Sequence, residues 1–344
     1  MSQPAFTDQL LRHQVLVQRL SADEINKFAP FLRQIDNMLR DALAELGVGT
    51  FAAARLGVLL ANVDAQLAGI FDNYSSALLR DLSLFARHEA MFSGGVLSNT
   101  STFEAAVPDY TQLYKAIRDT PLGIRDSGRG ALLRDFIDTW VASEIRAIEG
   151  TIRRGVFESK ASAEIIAELR GTPERRHQDG LLNVVRRHAE AVVRTAVQHA
   201  ATVAREETYA ANPKVVIKYS WLATLDKRTC LSCAALDGEQ FAIGVGPRSP
   251  LHIGCRCPML PVLSLKYQHL DSEAHGTDGS FYEWLKAQPA EFQDLAIGTK
   301  YGALLRGGGL SALRFSTLQL DKNFVPMTLD EMRGIEPIAS QQAA

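Results

Sequence analysis

The chain has 344 residues, of which 46% are hydrophobic and 22% are charged, and its formal net charge is −2 at pH 7. This composition is typical of a folded globular protein and excludes a largely disordered chain. A net charge so close to zero argues against a protein that coats nucleic acid over its whole surface. No apolar run reaches the roughly 18 residues that a membrane helix requires, so no membrane partner is expected. The polar N-terminus has no signal-peptide pattern, which predicts synthesis and initial folding in the cytoplasm.

The chain begins with helical patterns. The Ser21–Glu24 stretch fits a capping box that would start a helix, and apolar residues recur every three or four positions after it. Pro30 is expected to kink this helix or to move its start. A second apolar stripe covers about residues 51–92, and residues 93–131 are rich in turn-forming residues, which predicts a linker. Arm and linker together form the first predicted domain, residues 1–131.

The next predicted region, residues 132–211, contains further helices that end in a long one over Leu181–Tyr209. Seven arginines and only three acidic residues lie between Arg170 and Arg205. This excess of positive charge favours contact with phosphates or with an acidic partner surface. The alternative is an ordinary solvated helix face.

Residues 212–335 are predicted to form a small α+β domain, followed by a frayed tail over residues 336–344. Val215–Leu225 is rich in β-branched and aromatic residues and is predicted to be a strand. The Asp237-Gly238 pair predicts a tight turn that leads to a hairpin partner at Phe241–Val245. The expected fold class is therefore α+β and predominantly α-helical, with long N-terminal helices and a small C-terminal domain built on a β-hairpin.

This small domain contains every cysteine of the chain. The cysteines are Cys230, Cys233, Cys255 and Cys257. His252 precedes the second pair, so the order is C-x-x-C followed by H-x-x-C-x-C. Two short-spaced pairs joined by a loop are typical of a structural zinc site, which requires four tetrahedral thiolate or imidazole ligands. Five candidates compete for four places; the preferred set is Cys230, Cys233, His252 and Cys255, with Cys257 as the substitute.

Three other interpretations of the cysteines remain open. The thiols could pair as disulfides, although the absence of a secretory signal disfavours an oxidising compartment. They could be reduced side chains packed as small hydrophobic groups, with His252 bonded to the backbone. A catalytic thiol is also conceivable, but no cysteine has an obvious partner base in the sequence.

The same segment carries the pattern D-x-R-T-C-x-x-C-x-x-L-D-G-x-x-F, followed by P-x-H-x-x-C-R-C-x-x-x-P. This long, ordered pattern resembles the central signature of the phage Mu protein F-like family of minor head (head morphogenesis) proteins. The matching residues are Asp226, Arg228, Thr229, Cys230, Cys233, Leu236, Asp237, Gly238, Phe241, Pro250, His252, Cys255, Arg256, Cys257 and Pro261. Flanking stretches at Val203–Glu207, Phe281–Pro289 and Ile297–Tyr301 are also similar to the family. The resemblance covers about residues 150–335.

The resemblance implies a minor head protein of a tailed bacteriophage that acts in head morphogenesis. The implied partners are the portal protein, the major capsid protein or both, and the Arg170–Arg205 region would then face packaged DNA. The implied location is the host cytoplasm during assembly and afterwards the head of the virion. The implied mechanism is not enzymatic.

Two functions of other classes compete with this one. The Cys/His cluster could serve a phage-encoded enzyme or a toxin-associated domain, which would require an open metal position and a nearby base. It could instead brace a zinc-dependent DNA-binding module, which normally has basic residues beside its ligands.

Overall fold

A computed structural model describes residues 6–44, 53–100, 104–124, 130–223, 230–267, 281–311, 314–315 and 325–336. Over these residues the chain is mostly α-helical and has one small antiparallel sheet, which confirms the predicted fold class. None of the helices in the described ranges is both long enough and apolar enough to cross a membrane.

The chain divides into two compact units, each assembled from separate stretches. Unit 1 comprises residues 1–23, 82–132 and 194–344, and unit 2 comprises residues 24–81 and 133–193. The division of the chain at residues 131 and 211 stays a prediction, because these units describe packing and not independent folding.

The chain starts with three helices, α1 (Phe6–Asn26), α2 (Ala29–Ala44) and α3 (Ala53–Thr100). The predicted capping box at Ser21–Glu24 is wrong, because these residues lie inside α1. The apolar stripe of this helix extends upstream, where its apolar side chains are buried, and so the helix begins earlier. The effect expected of Pro30 is confirmed: α2 starts one residue before it, and proline is tolerated in a first helical turn.

Helix α3 also continues past the predicted end of its stripe, through Ser93 and Gly94 to Thr100. The linker predicted from residue 93 therefore starts too early. A Cβ atom on Gly94 would lie 2.4 Å from Val107 Cγ2, so the glycine is needed for close packing of the returning chain and not for a turn. Ser98 Oγ bonds both Gly94 O and the backbone amide of Ala105, which fixes that return.

The remaining elements follow in chain order. The helices are α4 (Tyr110–Asp119), α5 (Leu133–Phe157), α6 (Ser162–Arg170), α7 (Leu181–Ala211), α8 (Leu231–Ala234), α9 (Phe281–Lys286), α10 (Ala290–Ile297), α11 (Thr299–Arg306) and α12 (Leu329–Ile335). The strands are β1 (Val216–Trp221), β2 (Gln240–Phe241) and β3 (Met259–Leu263). The long helix predicted over Leu181–Tyr209 is α7, and its bounds agree to within two residues.

The sheet has the order β2-β1-β3 and both pairings are antiparallel. Tyr219 on the central strand lies opposite Phe241 on one side and Pro261 on the other. The predicted hairpin across the Asp237-Gly238 turn is present, but its second strand is Gln240–Phe241, so only Phe241 of the predicted Phe241–Val245 strand is confirmed. Sequence reasoning missed β3, whose proline is compatible with a strand at the edge of a sheet.

Unit 2 contains a cluster of packed aromatic rings. The indole of Trp140 lies 5.4 Å from the ring of Phe71 at an interplanar angle of 88° and 5.8 Å from the ring of Phe28, measured between centroids. Tyr74 packs on the same group at 4.8 Å from Phe28. Edge-to-face packing of this kind adds to the free energy gained by burying the rings.

Replacement of Trp140 by Ala is expected to lower the free energy of unfolding by about 3–5 kcal/mol, because it leaves a cavity among these rings. Phe157→Ala is the matched control: it removes an aromatic ring from the same helix that is 89% exposed, and it should change that free energy by no more than about 0.5 kcal/mol. Urea unfolding followed by circular dichroism measures both. Equal effects of the two substitutions would contradict this view of the unit 2 core.

Candidate metal centre

All four cysteines and His252 converge in unit 1. Their donor atoms form two overlapping groups, Cys230–Cys233–His252 and Cys233–Cys255–Cys257, and within each group the atoms lie within 4.8 Å of one another. Cys233 belongs to both groups and is fully buried. The five residues proposed from the sequence are therefore neighbours in space.

The first pair is positioned by a single helical turn. Cys230 is the N-cap of α8, and its Sγ accepts a hydrogen bond from the amide of Cys233 at 3.3 Å. Burial alone would raise the pKa of the Cys230 thiol, but this amide and the nearby His252 lower it below its ordinary value. An amide that donates to sulfur favours the thiolate, which is the form that binds metals.

The Asp237-Gly238 turn brings the chain back to the sheet. Gly238 has a φ of +77°, which favours glycine, and its amide donates to Trp221 O at 2.9 Å. Asp237 Oδ1 accepts from the amide of Ala223 at 2.7 Å, so this carboxylate is occupied in closing the turn. The predicted turn residues are therefore confirmed, whereas Asp226, Arg228 and Thr229 of the sequence pattern lie outside the described residues.

His252 presents one ring nitrogen to the thiols. Its Nδ1 lies 3.0 Å from Ile253 O, and its Nε2 lies 3.4 Å from Cys233 Sγ. In the neutral ring, a hydrogen on Nδ1 donated to the carbonyl leaves the Nε2 lone pair directed at the sulfur cluster, as in metal-bound histidines. Contact with Cys255 raises the pKa of His252 to about 9, although partial burial opposes this shift.

Cys255 and Cys257 complete the cluster from the other side. Cys233 Sγ lies 3.8 Å from Cys255 Sγ. The contact with Cys233 lowers the pKa of Cys255 and raises that of Cys233, because one sulfur is stabilised as a thiolate by the thiol hydrogen of the other. All four cysteines are free thiols, and no disulfide joins them.

Side chains far away in the sequence hold this second ligand segment in place. Thr195 Oγ1 on α7 accepts from the amide of Gly254 at 2.8 Å, and Gln198 Nε2 donates to Cys257 O at 3.4 Å. Gln14 Nε2 on α1 donates to Arg256 O at 3.3 Å. Sequence reasoning missed these contacts, because one polar residue among the many on a helix gives no local sign of its partner.

The donor set fits zinc. Two sulfurs bound tetrahedrally at about 2.3 Å from the ion lie about 3.8 Å apart, and a sulfur and an imidazole nitrogen lie about 3.6 Å apart. The observed separations are 3.8 Å between Cys233 Sγ and Cys255 Sγ and 3.4 Å between Cys233 Sγ and His252 Nε2. These two separations fit an ion bound beside Cys233, which belongs to both donor groups, whereas the preferred set Cys230, Cys233, His252 and Cys255 is divided between the two groups.

Comparison with known proteins agrees with the sequence pattern. Residues 146–260 match the family described as Phage Mu protein F like protein. The match covers 115 of the 344 residues, and residues 146–260 are called the Mu F-like domain below. No curated protein and no solved structure matches the chain significantly.

The Mu F-like domain includes all seven arginines of the Arg170–Arg205 region. Arg205 is buried and pairs with Glu89, so it cannot contact DNA. Arg186 pairs with Glu190, and Arg170 Nε lies 3.6 Å from Asp36 Oδ2. The excess of arginine in the sequence therefore overstates the positive charge that this region offers to a partner.

Gly254 of the Mu F-like domain provides a test of the loop between His252 and Cys255. Its φ is +74°, and an added Cβ would meet no atom within 4 Å. Gly254→Ala should therefore lower the free energy of unfolding by about 1–2 kcal/mol, through backbone strain alone. Gly334→Ala is the control, because that glycine is equally open but lies in α12 without a positive φ. Urea unfolding should show no loss for Gly334→Ala; a loss as large as that of Gly254→Ala would exclude strain as the cause.

Proposed function

We propose that this protein is a minor head protein that acts in bacteriophage head morphogenesis by contacting the portal protein or the major capsid protein. The match of residues 146–260 to the Mu F-like family carries the proposal. The protein would work in the host cytoplasm during assembly and then remain in the head of the virion. Its role would be that of a rigid docking body.

The proposed docking body is braced by zinc. Four of the five residues Cys230, Cys233, His252, Cys255 and Cys257 would hold the ion, which would link the α8 turn to the loop before β3. The spacing of the sulfur and nitrogen atoms supports this assignment. Such a closed thiolate and imidazole set contributes folding free energy and leaves no position for substrate.

The competing enzyme hypothesis finds less support. An open catalytic zinc site uses three protein ligands, whereas this cluster offers five. Asp237 is the acidic residue that could serve as a base, but its Oδ1 already accepts the amide of Ala223. The DNA-binding alternative is weakened in the same way, since Arg205 is buried against Glu89.

Zinc binding is tested by elemental analysis of the protein purified under reducing conditions without chelator. Cys233→Ser should lose one zinc ion per chain and lower the Tm, because Cys233 is common to both donor groups. Cys257→Ser should keep the ion if Cys230, Cys233, His252 and Cys255 are the ligands. Equal zinc content in the wild type and in Cys233→Ser would refute the assignment.

The role in the head is tested in a phage that carries this gene. Mass spectrometry of purified virions should find the protein in few copies, and chemical cross-linking should join it to the portal or the major capsid protein. A stop codon early in the gene should abolish DNA-filled heads while tails still accumulate in the lysate. The proposal would be ruled out if the mutant phage made normal DNA-filled heads and the wild-type virions did not contain the protein.

A further inference from the structure

A second cluster of metal-binding side chains lies in unit 1, outside the residues of the family match. It consists of His13 on α1, His88 on α3 and Glu336, which directly follows α12. Their donor atoms lie within 4.8 Å of one another. The exposed fractions are 0% for His13, 1% for His88 and 8% for Glu336, so the cluster is buried.

Both histidines direct a ring nitrogen at the same carboxylate. His13 Nδ1 lies 2.8 Å from Glu336 Oε1 and 3.0 Å from Oε2, and His88 Nε2 lies 3.1 Å from Oε2. Three segments that are far apart in the sequence therefore place two imidazoles and one carboxylate around a common point.

The other nitrogen of His13 is held as in many metal centres. His13 Nε2 lies 2.7 Å from Glu89 Oε2, and the second oxygen of Glu89 accepts from Arg205. Metal-bound histidines usually donate their second N–H to such a carboxylate, which orients the ring. With that hydrogen on Nε2, the lone pair of Nδ1 faces the Glu336 carboxylate, and a positive charge is needed between them.

We propose that a divalent transition-metal ion of the zinc type provides this charge, bound by His13 Nδ1, His88 Nε2 and the Glu336 carboxylate. Two imidazoles and a carboxylate suit such ions, whereas Ca²⁺ and Mg²⁺ prefer sets made of oxygen alone. Ligand atoms at about 2.0–2.1 Å from a tetrahedral ion lie about 3.3 Å apart. The nitrogen–oxygen separations of 2.8, 3.0 and 3.1 Å are shorter than this value by a few tenths of an ångström. Rotation of the Glu336 side chain can widen them.

The ion would be structural. Its ligands are enclosed, and His13 also stacks on the ring of Phe92 with 3.7 Å between centroids, which leaves no approach for a substrate among the described residues. Binding would fasten α1, α3 and the residue after α12 to one another.

A proton on His13 is the competing occupant. Burial alone would lower the pKa of His13, but Glu336 and Glu89 raise it to about 9, so an imidazolium between the two carboxylates also balances the charge. A proton and a metal ion cannot occupy Nδ1 of His13 at the same time, so a metal-binding experiment distinguishes the two hypotheses.

The experiment titrates Co²⁺ into the full-length protein after chelator treatment under reducing conditions. Cobalt bound by thiolates gives intense charge-transfer absorption, whereas cobalt bound by nitrogen and oxygen gives only weaker ligand-field bands. His88→Gln and Glu336→Gln should each lose one equivalent of Co²⁺ from the ligand-field component and leave the thiolate absorption unchanged. His188→Gln is the control, since this histidine pairs with Glu144 in unit 2 and its side chain is 56% exposed.

The same amount of bound Co²⁺ in the wild type, His88→Gln and Glu336→Gln would overturn the proposal and leave the proton as the occupant. Cadmium NMR of the wild type gives a readout that needs no variant to fold. A resonance in the range of nitrogen and oxygen ligands supports the site; its absence from the cadmium-saturated protein overturns it. The thiol cluster gives a separate sulfur-rich signal, so failure of either site is recognised on its own.

Discussion

The buried ion pair between Arg205 and Glu89 is the interaction on which unit 1 depends. A guanidinium inside a protein must be neutralised and hydrogen-bonded, or its desolvation outweighs any gain from packing. Burial would raise the pKa of Glu89, yet Arg205 and His13 lower it to about 2, so the carboxylate stays charged. Arg205 also donates to Gln14 Oε1 at 3.0 Å. The pair thereby fixes two neighbouring side chains of α1, His13 and Gln14.

Each of these two α1 side chains contacts one of the candidate metal centres. Gln14 donates to Arg256 O, between the two cysteines of the second ligand segment, and His13 faces Glu336. This gives a physical reason for the stretch at Val203–Glu207 that resembles the family upstream of the signature. Its Arg205 neutralises Glu89, and its Glu206 accepts from Arg248 Nε at 2.6 Å, next to the loop that carries His252.

Local signals allowed part of this arrangement to be predicted. Helical periodicity predicted further helices after residue 132 and located α7, and Asp-Gly chemistry located the turn before β2, because these elements depend on neighbouring residues. The start of α1 could not be predicted, because burial against distant segments overrides the capping pattern at Ser21. The extension of α3 to Thr100 could not be predicted either, because such burial also overrides the helix-breaking tendency of Gly94. The thiol cluster was recognisable from its spacing. Contacts such as Thr195 with Gly254 depend on tertiary packing and leave no pattern in the sequence.

The segment before and after α12 closes on the first helix of the chain. Arg19 Nε donates to Val325 O at 2.7 Å, and the amide of Met327 donates to Arg19 O at 3.2 Å. Contacts between segments so far apart in sequence have a high entropic cost of loop closure and form late. During translation, the contacts of His13 and Arg19 with this segment must therefore wait until residues 325–336 have left the ribosome. The order in which the polypeptide is made thus delays completion of unit 1 until residues 325–336 are available.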